Sequence, residues 1–133
     1  SQTDPVLRFE GNDLVGTAGN DIFVLKAQDG QQGAPTTLTG DAGADTFFFR
    51  GNNGAVTITD FSGHAGQGDH IELYNTEVGN SWQTLQGAIH AINDNHDTLI
   101  DLGGGNTITL EGVQASTLTV EDFFLHEGRA LSI

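Results

Sequence analysis

Hydrophobic and polar positions in this chain alternate in short runs separated by glycine-rich turns. The stretch Gly16-Thr17-Ala18-Gly19-Asn20-Asp21-Ile22-Phe23-Val24 returns in altered form as Gly40-Asp41-Ala42-Gly43-Ala44-Asp45-Thr46-Phe47-Phe48. Each predicts a turn that ends in Asp and feeds a short strand. A partial copy, Gly11-Asn12-Asp13-Leu14-Val15, precedes them. Residues 46–49 and 56–61 predict strands. In the second, Val56 and Ile58 share one face, continued by Asp60, and Thr57, Thr59 and Phe61 share the other. A third glycine-rich turn, 63–69, ends in Asp69 and leads into a strand at 70–73.

The distal part has a different rhythm. Over residues 81–92, Trp82, Leu85, Ile89 and Ile92 form one apolar stripe, which predicts the single amphipathic helix. Asn80 or Ser81 can cap it. Gly87 weakens it by about 1 kcal/mol, so packing must hold it. Residues 98–102 and 107–110 alternate across Gly103-Gly104-Gly105-Asn106 and predict a hairpin. Residues 118–125 predict a last strand or extended segment.

Composition sharpens this picture. Apolar residues make up 36% of the chain, below the globular average of about 45–50%, which also counts Gly. Nineteen of the 133 residues are glycine. The core must be narrow, so something besides apolar burial has to contribute. Eighteen acids against four bases give a net charge of −14. Self-repulsion of that size opposes compaction, and bound divalent cations would relieve it. The same charge excludes nucleic acid and anionic membranes as partners. No cysteine is present, so there is neither a disulfide framework nor a thiolate metal site. No apolar run reaches the roughly 18 residues of a membrane span, and no signal-peptide pattern opens the chain. It reads as the C-terminal piece of a longer protein.

The turns point to calcium chemistry. Glycines permit close approach of neighbouring backbone, and turn carbonyls with a closing carboxylate make an oxygen-rich site. Ca²⁺ takes six to eight oxygens at about 2.3–2.6 Å from such a mixture. On one side the expected ligands are the carboxylates of Asp21 and Asp45, sharing an ion, with turn positions Gly16, Ala18, Gly40, Asp41 and Gly43. On the opposite side Asp29 is expected to stack on Asp13. Asp60 and Asp69 flank the third turn and are expected to share a further ion. Asp21 and Asp45 stand 24 residues apart, whereas a two-nonapeptide coil takes about 18. The polar stretch 28–37 is the expected place for the excess.

These residues resemble the C-terminal, hemolysin-type calcium-binding region of RTX proteins, as found in type I secreted serralysin-like proteases, lipases and polysaccharide enzymes. Beside the nonapeptides at 16–24 and 40–48, the blocks 58–61, 68–73, 97–113 and 121–123 carry the resemblance. It covers about residues 6–125. Departures are Thr17 and Asp41 at the second glycine of the repeat. The implied fold is mainly β: a short calcium-binding parallel β-roll continuing into a β-sandwich-like C-terminal part, with one helix at about 81–92. The whole of 1–133 is one module, with roll turns at about 6–73, helix and hairpins at 80–125 and a tail at 126–133. The resemblance implies Ca²⁺, about two to four ions, a type I ABC exporter, a fused N-terminal domain and an extracellular location. Asp122-Phe123-Phe124-Leu125 resembles an export signal.

Three functions compete at this level. The first is a non-catalytic module that folds on calcium after secretion and stabilises and exports its fused domain. The second is a polysaccharide-binding module using Trp82, Tyr74 and the histidines. The third, an enzyme, finds no support. His64, His70, His90, His96 and His126 form no His-Glu-x-x-His helix, and no nucleophile elbow is present.

Overall fold

The structure is a computed structural model. It describes residues 6–9, 13–25, 36–50, 53–64, 66–74, 76 and 78–125. Two sheets face one another across a thin apolar layer. One holds β1 (Val6–Phe9), β3 (Ile22–Leu25), β5 (Thr46–Phe49), β7 (His70–Leu73) and β11 (Phe123–Leu125), in the order β1-β3-β5-β7-β11. All four pairings are parallel. The other holds β2 (Leu14–Val15), β4 (Thr36–Thr39), β6 (Ala55–Ile58), β8 (Ile89–Ile92), β9 (Asp97–Gly103) and β10 (Asn106–Leu110), in the order β2-β4-β6-β10-β9-β8. Successive strands alternate between the sheets through β7, so the chain winds as a parallel β-roll.

Alternation decides which side chains meet inside. Phe23, Phe47, Ile71 and Phe123 occupy one register column of the first sheet. Leu14, Leu38, Ile58 and Leu110 occupy the matching column of the second. Phe23 and Phe47 stack with ring centroids 4.8 Å apart, and Phe61 tilts against Phe47 at 6.3 Å. The residues between them, such as Phe48 and Glu72, face outward. Offset-stacked rings contribute about 0.5–1.5 kcal/mol beyond the area they bury.

The first coil carries its excess close to where it is expected, in the link 26–35 between β3 and β4. Asp21 to Asp45 and Asp45 to Asp69 are both 24 residues. The two coils place their excess over about 18 residues on different sides. In the first coil the turn 40–45 is short and the far link 26–35 is long. In the second, the far link 50–54 is short and the turn 59–69 is long. Strand pairing constrains only the total, so the excess can sit on either side at slowly growing entropic cost. Thr36 and Thr37, placed in the expected insert, belong to β4.

The expected helix 81–92 is corrected to a single turn and a half, α1 (Trp82–Gln86), followed by strand β8. Ser81 Oγ caps its start by accepting from Thr84 N at 3.2 Å. Gly87 ends it. Beyond that point Ile89-His90-Ala91-Ile92 pairs antiparallel with β9. A free edge of β9 offers that segment a full ladder of backbone bonds. Isoleucines at 89 and 92 suit a strand as well as a helical stripe. The local signal for the strand is Asn93-Asp94-Asn95, whose φ values of 56, 57 and 67° form the left-handed hairpin turn into β9.

The predicted hairpin is β9–β10. It adds to the roll's second sheet, because β10 pairs parallel with β6. The sandwich-like C-terminal part is thus a continuation of the roll's own two layers. The segment 118–125 is strand only over β11, after short 3₁₀ turns at Ala115–Thr117 and Val120–Asp122. The strand expected at 56–61 ends at Ile58, where the third turn begins. The tail 126–133 lies outside the described residues.

The stacked interior column yields a direct check. Phe47→Ala should cost about 3–5 kcal/mol in urea unfolding at fixed calcium concentration, the usual range for a buried aromatic. Phe124→Ala, at 43% exposure, should cost far less. Equal losses would contradict the inward assignment of Phe47.

Candidate metal centre at the stacked aspartate turns

Parallel pairing of β3, β5 and β7 puts three turns on one end of the roll: 16–21, 40–45 and 59–69. The register Ile22–Thr46–His70 stacks the residue before each strand in one column. Those residues are Asp21, Asp45 and Asp69, at 1, 0 and 1% exposure. Asp21 N donates to Asp45 Oδ1 at 2.9 Å, and Asp45 N donates to Asp69 Oδ1 at 2.8 Å. Each backbone also continues the strand ladder, with Thr46 N on Asp21 O and His70 N on Asp45 O, both 2.8 Å. The acids are therefore rungs of the sheet as well as ends of the turns.

The remaining carboxylate oxygens differ in how well they are served. Asp21 Oδ2 accepts from Thr17 N at 2.8 Å, and its Oδ1 from Thr17 Oγ1 at 2.7 Å. Asp69 Oδ2 accepts from Ser62 N at 2.9 Å. Asp60 reaches to the second turn, accepting from Gly40 N and Asp41 N, both at 2.8 Å. Asp45 Oδ2 is buried and has no hydrogen-bond partner. A Cβ on Gly40 would collide with that oxygen, so only glycine leaves it room.

The turns also touch one another. Gly43 sits at φ 94°, and a side chain there would strike the carbonyl of Gly19 in the coil before. The carbonyl of Gly40 lies against Gly16 in the same way. Asn20 Oδ1 accepts from Ala44 N at 2.7 Å. Asp41 adopts φ 62°, in the left-handed region that Asp tolerates better than most residues. Backbone oxygens and carboxylates thus share the narrow space between coils.

Electrostatics single out the middle rung. Burial pushes the Asp45 carboxyl up to about 7, and the neighbouring carboxylates of Asp69 and Asp21 push the same way. The bond from Asp21 N opposes them. Asp69 is also raised, first by burial and then by Asp60, against the bonds from Asp45 N and Ser62 N. A buried, unpartnered carboxylate oxygen beside two more carboxylates and turn carbonyls is a costly arrangement for an ionised acid. It is also the donor set a hard divalent cation takes. Among the described residues, no three His, Cys, Asp or Glu side chains group as a ready metal cluster. Backbone carbonyls would therefore supply most of the ligands.

The predicted site residues divide as follows. Asp21, Gly16, Gly40, Gly43, Asp45, Asp60 and Asp69 gather at the stacked end. Ala18 and Asp41 are exposed on the same turns. Asp13 stands before β2, at the far end of that strand from the turns. Leu14 pairs with Leu38, so the register continued one residue back sets Asp13 beside Thr37. Asp29, expected to stack on Asp13, lies outside the described residues. The sequence reading passed over Thr17 and Asn20, whose side chains serve Asp21 and Ala44. Thr17 fills the second-glycine position of the repeat, as Asp41 does in the second turn, and that departure is the signal for a side-chain contact.

No family model matches the chain, and no curated protein sequence matches it. Among solved structures it is similar to the crystal structure of extracellular lipase LipA from Serratia marcescens, with a TM-score of 0.60 and 23% identity. The likeness covers 92% of this chain and 20% of the lipase chain. It establishes the mainly β, parallel-sheet fold. Among the described residues, no helix is long and apolar enough to cross a membrane.

The raised Asp45 pKa sets a pH signature. The group binds its proton more tightly folded than unfolded, so its contribution is fully present below 3.8 and is lost as pH rises through about 7. Chelated protein should therefore melt lower at pH 8 than at pH 5 by calorimetry. Asp45→Asn keeps an acceptor for Asp21 N and removes the charge. It should raise the chelated melting point at pH 8, by the equivalent of on the order of a few kcal/mol. A lowered melting point would show that the ionised form is well tolerated.

Proposed function

We propose that this chain is a calcium-binding RTX module that folds on Ca²⁺ binding after type I secretion. In this reading it has no catalytic activity and stabilises a fused N-terminal domain outside the cell. The observation that carries the reading is the open, fully buried Oδ2 of Asp45 within a column of three acids. Asp21, Asp45, Asp60 and Asp69 would supply carboxylates, and the turns containing Gly16, Gly19, Gly40 and Gly43 would supply carbonyls.

The mechanism is a linkage. Without calcium, ionised Asp45 opposes stacking of the coils, and the net charge of −14 adds to the repulsion. A loose chain suits passage through an ABC exporter. Extracellular sites of this class bind with Kd on the order of 10⁻⁴–10⁻³ M. Millimolar calcium would fill them, and binding free energy becomes folding free energy. The fold likeness to an extracellular lipase supports a secreted setting.

A polysaccharide-binding role is a second reading with one observation in its favour. On the outer face of the first sheet, Phe48 and Tyr74 stack at 6.1 Å, and the Arg50 guanidinium lies 5.3 and 5.2 Å from their ring centres. Trp82 fits that role poorly, because it packs against Phe123 at 5.7 Å. Retention on polysaccharide gels that is lost in Tyr74→Ala would favour this reading.

Adding millimolar CaCl₂ to chelated protein should raise the melting point and increase β signal in far-UV circular dichroism. Mg²⁺ should do so poorly, since it requires a tighter octahedron and dehydrates reluctantly. The calcium response should be larger at pH 8 than at pH 5.5, because bound calcium needs Asp45 ionised. It should largely vanish in Asp45→Asn. An unchanged spectrum and melting point across the titration would sink the folding-switch mechanism.

A further inference from the structure

The third turn is closed differently from the first. In the first, Thr17 offers its backbone N–H and its hydroxyl to Asp21 of the same turn. In the third, His64 occupies the comparable place. Its backbone N–H donates to Asp122 Oδ1 at 2.6 Å, and its Nδ1 lies 2.8 Å from the same oxygen. The acid comes from 58 residues along the chain. Asp122 is 1% exposed, and its Oδ2 accepts from Thr119 N at 2.9 Å. It directly precedes β11, the edge strand that pairs with β7 through only three residues. His64 therefore ties the end strand of the first sheet to the last turn of the roll.

The ring remains open to solvent. A cavity of about 430 Å³ beside it is lined by Phe61, His64, His96, Val113, Leu118 and Asp122. Glu121 Oε1 lies 4.0 Å from Nε2. The titratable groups around the ring are thus Asp122 and Glu121 from the β11 side and His96 across the cavity. On its own turn stand Asp60 and Asp69, both engaged by backbone donors. On the outer face, His70 stacks on Phe124 at 4.1 Å and also touches β11.

We propose that His64 and Asp122 form a proton-operated latch: the imidazolium locks β11 onto the third turn, and the neutral ring loosens it. A neutral ring can still donate through Nδ1, and the backbone bond persists, so opening is a loosening rather than a release. The bond to Asp122 raises the His64 pKa above 6.5, with the charges of Asp122 and Glu121 adding to it. The latch contribution is then fully present below about 6.5 and is lost as pH rises through the folded value. The latch acts at the β11 edge of the first sheet.

Trp82, the sole tryptophan, packs on Phe123 next to Asp122 and reports β11 directly. The test uses the full chain at saturating calcium, which keeps Asp45 ionised throughout. NMR should place the His64 midpoint above 6.5, and Trp82 emission should shift to the red with the same midpoint as pH rises. In His64→Gln, a replacement of an accessible ring, the emission transition should disappear. A purely structural contact would instead offset the emission equally at every pH, and that result would overturn the latch. So would a transition that survives in His64→Gln, which would assign it to His70 or another group. Asp122→Asn should return the His64 midpoint towards 6.5. If that variant does not fold, the wild-type midpoints and His64→Gln still decide the matter.

Discussion

The hydrogen bond from the backbone of one aspartate to the carboxylate of the next coil's aspartate organises this roll. Asp21 donates to Asp45, and Asp45 donates to Asp69. Because these residues also end the turns and begin the strands, the bond sets three things together. It fixes the stacking distance of the turns, the parallel register of β3, β5 and β7, and the column of Phe23, Phe47 and Ile71 beneath them. A shift of one residue would turn Phe23 and Phe47 outward and leave the acids without their donors.

That arrangement has an electrostatic cost that the narrow core must carry. Three buried carboxylates in a column repel one another, and the middle one keeps an oxygen with no partner. In a chain with net charge −14, few cations are available to help. Arg50 stands on the outer face over Phe48 and Tyr74, away from the turns. A cation from solution is the counter-charge that suits such a site, which is why stability and metal concentration are coupled in the proposed function.

The two ends of the roll are treated differently. At the β11 edge the chain closes the roll with its own groups, using Asp122, His64 and Thr119. The second sheet is extended on the same side by the antiparallel hairpin β9–β10 and by β8. Buried Ile100, Ile108 and Leu110 carry the core into this extension, and Leu85 of α1 covers it. Parallel winding needs a long return path for every added strand, whereas a hairpin needs only a tight turn. Glycines and Asn106 provide that turn.

Local patterns determined much of this protein. Alternation marked β5, β7, β9 and β10, and the glycine-rich turns ending in Asp marked the stacking of Asp21 on Asp45, with Asp69 expected at a separate site beside Asp60. These features follow from period-two exposure and turn chemistry, which act over a few residues. Tertiary structure decided the rest. Whether 89–92 continued a helix or joined a strand depended on the free edge of β9, which no window around Gly87 contains. That the coil from Asp45 to Asp69 stacks on the first was decided by the pairing of β5 with β7. Asp122 became the partner of His64 only because parallel pairing of β11 with β7 carried it across 58 residues. Contacts of that length are chosen by register between strands, and register belongs to the assembled sheet.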